Sequence, residues 1–157
     1  MILERTTNKH ASQYLEEKIW KPLGMEASAS WSLDSDASGF EKMESGINAR
    51  AIDFAKIGRL FLNNGNWNGN QIISEKWVNE STKPDKTTDP SSFYQYMWWV
   101  DSIISSSHTS RHNFYAAGNY GQFIYVIPEK NIFIVRHGYK SGYDNWTGLF
   151  KELSSKI

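Results

Sequence analysis

Two short apolar runs, Gln122 to Ile127 and Ile132 to Val135, are joined by Pro128-Glu129-Lys130-Asn131. This pairing constrains the chain more than any other stretch. A four-residue link of that type between runs rich in Ile, Val, Phe and Tyr predicts a β-hairpin. Immediately before it lies Ala116-Ala117-Gly118-Asn119-Tyr120-Gly121. Small residues leave a backbone open to close approach by a ligand. The stretch therefore predicts a sheet edge carrying a backbone-lined site. Strands are expected near 94–100, 113–118, 121–127 and 132–137, in one antiparallel sheet.

Helical periodicity and stop signals predict helices over about 10–21, 49–63 and 74–81, with a last helix near 146–156. Met1 to Arg5 reads as the tail of a helix begun upstream, and Thr6-Thr7-Asn8-Lys9 as a turn in which Asn8 takes positive φ. Asn48 is placed to cap the second helix, Asp53 falls in that helix's first turn, and Asn63-Asn64-Gly65 ends it by a left-handed residue. Residues 27–45, rich in Ser, Asp and Gly, read as a loop around Trp31, and residues 83–92 as another. Trp98 and Trp99 point to opposite faces of their strand, one towards the core and the other free to line a cleft. The fold class is α+β: a sheet of about four antiparallel strands, a C-terminal helix packed on it and a helical N-terminal segment. Residues 1–92 form the mainly helical segment with loops, and residues 93–157 the meander with its helix.

Aromatic residues make up 15% of the 157, including 7 Trp, which argues for a packed protein or an aromatic-lined cleft and against disorder. Seventeen basic and 17 acidic residues cancel without a basic patch, so nucleic acid is not an expected partner. No apolar run approaches the roughly 20 residues of a membrane span. With no Cys there are no disulfides or thiolate zinc sites. His108 and His112 are spaced i, i+4, but in a polar connector (residues 102–111) leading into a strand, where zinc would want a helix and further ligands. Neither a metal nor a cofactor is expected.

Several segments together resemble one family. Leu3-Glu-Arg-Thr-Thr-Asn-Lys9 and Tyr14-Leu-Glu-Glu-Lys-Ile-Trp-Lys-Pro-Leu-Gly-Met25 are similar to the helices after the second active-site motif of β-lactamase-related serine hydrolases, a group that includes class C β-lactamases, DD-peptidases, esterases and amide hydrolases. Gly46-Ile-Asn-Ala-Arg-Ala-Ile-Asp-Phe-Ala-Lys-Ile-Gly58, Gly65-Asn-Trp-Asn-Gly-Asn-Gln-Ile-Ile-Ser74 and Ala116-Ala-Gly-Asn-Tyr-Gly-Gln-Phe-Ile-Tyr-Val-Ile-Pro128 follow in the family's order. The resemblance covers nearly all of the chain and implies the C-terminal part of a β-lactamase/transpeptidase-like fold, an incomplete single domain.

That family uses Ser-x-x-Lys, a second motif such as Ser-Asp-Asn or Tyr-x-Asn, and Lys-Thr-Gly. No Lys here has Ser three residues before it, and Thr6 before Lys9 falls in a turn. Tyr143-Asp144-Asn145 matches Tyr-x-Asn but comes after the sheet, whereas the family's motif precedes it. The third motif corresponds to Ala116-Ala117-Gly118. A serine attacks an acyl carbon only when a neighbouring base takes its proton, and the oxyanion formed needs preorganised donors. The resemblance implies that the backbone N–H of Asn119 is one of the two donors, with Ala116, Ala117, Gly118, Tyr120 and Asn48 around the substrate. Nucleophile and base are expected to be absent. Ala116 stands where the family has Lys or His, which tilts the expected activity from β-lactams towards esters or amides. Arg136 and His137 are candidate substitutes for that cation, against a plain reading as an exposed strand end. The expected partners are a small acyl substrate in the intact fold, and an N-terminal fragment or a second copy meeting an exposed apolar surface. The rival expectation is a non-catalytic binding module or an inactive truncated product.

Overall fold

The computed structural model describes residues 2–87, 93–101 and 111–157. Of the connector expected over 102–111, only Arg111 is among them; His108 and residues 88–92 lie outside. The chain divides into two compact units, Met1–Lys56 and Ile57–Ile157.

In the first unit, α1 (Ile2–Thr7) ends at Asn8, whose φ of 54° is the left-handed turn expected. The helix expected over 10–21 is instead α2 (Ala11–Leu15) followed by a π-turn, Glu16–Trp20. The wider winding shows in the Lys21 N–H bonding Glu16 O at 2.9 Å. Residues 27–45, expected as a loop, contain β1 (Ser30–Trp31), paired with β2 (Ile47–Asn48). Trp31 orders the segment by donating Nε1–H to Lys42 O at 2.7 Å. Buried Glu41 accepts the Ser12 N–H through both carboxylate oxygens, at 3.1 and 3.2 Å. Asn48 is therefore a strand residue and not a helix cap. Its amide donates to Gly46 O (2.9 Å) and Ser32 Oγ (3.4 Å), and α3 (Ala51–Leu62) starts three residues later. Asp53 does lie in the first turn of α3. It is fully buried and accepts the Glu26 N–H at 2.6 Å, with Lys56 Nζ 3.9 Å away.

In the second unit α3 ends at Gly65, which has φ 80° and bonds Leu60 O at 2.8 Å. β3 (Asn66–Trp67) and β4 (Asn70–Gln71) make a small hairpin. α4 (Glu75–Ser81) is capped as expected by Ser74, whose Oγ accepts the Trp77 N–H. The sheet follows in sequence order, antiparallel throughout: β5 (Tyr94–Gln95), β6 (Trp98–Asp101), β7 (Asn113–Gly118), β8 (Gln122–Ile127) and β9 (Ile132–Arg136). It has five strands where four were expected, because Tyr96 and Met97 both turn left-handed and split 94–100 into a hairpin. α5 (Trp146–Ser155) starts at Asn145, whose Oδ1 accepts the Gly148 N–H at 3.0 Å. That capping bond accounts for the Asn of Tyr143-Asp144-Asn145.

Strand alternation sorts the sheet into two faces. Trp98, Phe114, Ile124, Val126 and Phe133 face α3, where Phe61 meets Trp98 (4.6 Å between rings) and Phe114 (6.4 Å). Gly58 lets the helix come close: a Cβ there would stand 3.1 Å from Ile124 and 3.2 Å from Phe133. Trp99, Tyr115, Phe123, Tyr125 and Ile134 share the other face, where Phe150 and Trp146 of α5 cover part of the sheet. Phe114, Tyr125 and Val126 are completely buried, each contributing about 2–3 kcal/mol through burial.

Candidate functional site

The bare edge of one strand defines the site. On one side β7 pairs with β8 from Phe114 to Gly118. On the other it pairs with β6 only from Asn113 to Tyr115. Among the described residues, Ala116, Ala117 and Gly118 have no strand partner on that outer side. Backbone N–H and C=O groups along such an edge can bond a planar amide or ester laid against it. Gly118 is extended (φ −121°, ψ 173°), and the chain then makes one 3₁₀ turn over Asn119–Gly121. An N–H at the first position of a helical turn has no partner within the turn, and Asn119 holds that position. Tyr120 takes φ 61° and is largely exposed. Gly121 must be glycine: its φ is 75°, and a Cβ would meet Arg136 Nη1 at 2.8 Å and Ser141 Cα at 3.2 Å.

Arg136 fixes this turn, a role the sequence did not reveal. Its Nη1 donates to Tyr120 O and Gly121 O, and its Nη2 to Lys140 O and Ser141 O. The guanidinium lies 4.0 Å from the centre of the Trp146 ring. Register puts Arg136 opposite Phe123, on the α5 face, whereas Ala116 pairs with Ile124 on the α3 face. Arg136 is thus on the wrong side to replace a cation at Ala116, and both of its Nη groups already donate to carbonyls. The Gln122 side chain forms a reciprocal amide pair with the Gly138 backbone, holding the chain just past β9. Burial holds the His137 imidazole below its ordinary pKa.

Of the sequence-predicted residues, Ala116, Ala117, Gly118, Asn119 and Tyr120 come together on this one hairpin. Asn48 belongs to β2 in the other unit. Trp98 is the core member of its pair, and Trp99 lines a cleft. That cleft is an open groove of about 460 Å³ on the α5 face, walled by Trp99, Tyr115, Ala117, Phe123, Tyr143 and Trp146. Beside it, buried Tyr125 donates to Asp101 at 2.8 Å, and Lys151 Nζ lies 2.6 Å from the same carboxylate oxygen. Burial first, and the bond to Asp101 second, push the Tyr125 phenol well above its usual pKa; burial also raises Tyr115. Among the described residues no group of three His, Asp or Glu is placed to hold a metal ion, and no helix is long and apolar enough to cross a membrane.

An antiparallel sheet flanked by helices is the mixed arrangement of β-lactamase-type hydrolase folds. The β-lactamase family model matches residues 1–150, and the chain belongs to that family. It is 26% identical over 145 residues to the 6-aminohexanoate-dimer hydrolase of Paenarthrobacter ureafaciens, covering 86% of this chain and 35% of that protein. The "putative 6-aminohexanoate-dimer hydrolase from Bacillus anthracis" superposes with a TM-score of 0.81 at 25% identity, covering 99% of this chain and 40% of that one. A "putative beta-lactamase from Bacteroides dorei" (TM-score 0.70, 15% identity, 98% of this chain and 53% of that one) shares the fold. So does a β-lactamase of Mycobacterium bovis (0.61, 18%, 98% and 57%). The chain spans about a third of the length of the curated relative.

Proposed function

We propose that this chain forms the oxyanion-side wall of a serine acyl-hydrolase site, acting on a small ester or linear amide. The bare edge of β7, running through Gly118 into the Asn119 turn, is the observation that carries this reading. The Asn119 backbone N–H serves as one of two oxyanion donors. The nucleophile, its general base and the second donor come from a further part of the fold, in keeping with the absence of any Ser-x-x-Lys here. Ala116 offers no cation for a β-lactam carboxylate, and the names of two relatives point to an amide substrate. A further polypeptide, an N-terminal fragment or a second copy, completes the structure over exposed apolar surface.

Alone, the 157-residue protein turns over neither a p-nitrophenyl ester nor a chromogenic cephalosporin at a useful rate. One lost oxyanion donor costs roughly 10²–10³ in turnover, and nucleophile and base act as a unit. A fluorophosphonate probe leaves every Ser unlabelled. Mixing with an N-terminal fragment bearing Ser-x-x-Lys restores hydrolysis, and Asn119→Pro, which deletes the N–H, lowers it. Stoichiometric labelling of one Ser in the chain alone, with turnover lost in its Ala variant, would overturn the reading. The aromatic groove favours a second reading, a non-catalytic binding module. Under that reading a fragment or ligand binds and no hydrolysis appears.

A further inference from the structure

The β5–β6 turn has a conformation its residues do not favour. Gln95 pairs with Trp98, so Tyr96 and Met97 are the whole of a two-residue turn. Their φ values are 46° and 71°. Two consecutive positive values define the hairpin turn that prefers Asn-Gly, and bulky side chains there are uncommon. Both side chains are nonetheless open to solvent, Tyr96 at 55% and Met97 at 65%. They belong to a patch rather than standing alone. The Tyr96 ring lies 4.9 Å from that of Trp77, and the Tyr94 hydroxyl lies 3.3 Å from Met97 Sδ. Phe93 and Trp77 are also exposed. From Phe93 to Trp99 no residue is ionisable at neutral pH.

The register puts this patch beside the bare edge. Trp99 is opposite Tyr115. Continuing the alternation by one residue sets Trp98 beside Ala116, so the turn begins at the level of Ala117 and its Met97 is the turn residue nearer the edge. The early reversal at Tyr96-Met97 is what ends β6 and leaves that edge open. A hydrogen-bonding edge and an uncharged aromatic and thioether surface therefore adjoin.

We infer that the Tyr96-Met97 turn is a specificity wall, selecting substrates that carry a flexible apolar chain next to the amide or ester group held on the β7 edge. This rests on the reading of that edge as the substrate-binding one. A charged chain there would lose hydration with no ionised partner on the turn. An alkyl chain gains by burial, and Met adapts to its shape.

The test uses the full protein with ¹³C-methyl-labelled methionine and two neutral probes, N-butylhexanamide and acetamide. N-butylhexanamide should shift the Met97 methyl and the Ala117 and Gly118 amides, binding about tenfold more tightly than acetamide. Met97→Gly and Tyr96→Asn should each remove most of that advantage. Their thermal midpoints should stay level or rise, because Gly and Asn suit positive φ, so a weaker affinity would not reflect unfolding. An unmoved Met97 methyl, variants that bind N-butylhexanamide as tightly as the parent, or no binding up to the solubility limit would overturn the wall. Acetamide shifting Ala117 and Gly118 while Met97 stays silent removes the wall and leaves the edge standing. Met97 shifting without those amides supports the apolar contact and refutes the edge.

Discussion

Replacing Arg136 with Met should loosen the turn that carries Asn119 and destabilise the protein by roughly 3 kcal/mol. Arg136 satisfies four carbonyls, of Tyr120, Gly121, Lys140 and Ser141, from two chain segments that it ties to its own strand. Two of the four are at 3.3 Å and count for little. The other two are charge-assisted but only partly shielded from water, about 1 kcal/mol each. Stacking on Trp146 at 4.0 Å adds about 1 kcal/mol. In a chain of this size, a loss of that order lowers Tm by roughly 6–12 °C. Urea unfolding followed by tryptophan fluorescence gives the total, and amide exchange gives its location. Exchange at Tyr120, Gly121 and Gln122 should accelerate far more than at buried Tyr125. Arg136→Lys should recover less than half, since one ammonium cannot span carbonyls that the guanidinium fork bonds through two nitrogens. A loss under about 1 kcal/mol with unchanged exchange at the turn would refute the argument. Water would then replace the guanidinium without cost, and something else would hold the turn.

Stability should fall above pH 10 through Tyr125. Its pKa is raised on folding, so its contribution is full below the unfolded value near 10. It is then lost by about 1.4 kcal/mol per pH unit as the unfolded chain ionises first. Tyr115 shifts in the same direction. Urea midpoints between pH 9 and 11.5 should drop more steeply for the parent than for Tyr125→Phe, and equal slopes would exclude this origin. Gly65→Ala should cost about 2–4 kcal/mol, because the new Cβ meets Ile73 O at 2.0 Å in a residue with φ 80°; chemical denaturation reads it directly. Asp53→Ala should cost about 2–3 kcal/mol by stripping the Glu26 N–H of its 2.6 Å acceptor inside a buried site. A thermal midpoint within 2 °C of the parent would count against that value.

Legibility in the sequence followed the range over which each signal acts. The β8–β9 hairpin, the Ser74 cap and the Gly65 helix end rest on neighbours within a few residues, and the expected elements are present. Asn48 looked like a cap because the residues after it are helical. The pairing of Ile47 with Trp31, sixteen residues away, keeps it in a strand instead. The Tyr94–Val100 segment is aromatic enough to read as one strand. Nothing in Tyr96-Met97 announces a turn, since Gly or Asn would be the ordinary marker. Arg136 was legible as a charge at a strand end. Its bonds to the 120–121 and 140–141 carbonyls depend on how the chain returns after β9, which no local pattern encodes.

The shortness of the open edge of β7 reconciles a candidate site with the hazard of an unpaired strand. An unpaired strand edge invites another chain to add to it. Of β7, only Ala116, Ala117 and Gly118 lack a paired strand on the outer side among the described residues, which at about 3.4 Å per residue is roughly 10 Å. Such a length suits one amide unit and its flanking atoms, and is too short to hold a β-strand of ordinary length. The edge is bounded at one end by β6, through the Trp99–Tyr115 pair. At the other it is bounded by the 3₁₀ turn whose carbonyls Arg136 holds. Lengthening β6 by two residues would erase the edge, and releasing the turn would blur its end. The left-handed Tyr96-Met97 reversal and the Arg136 contacts are thus two halves of one requirement: a strand left bare for three residues and no further.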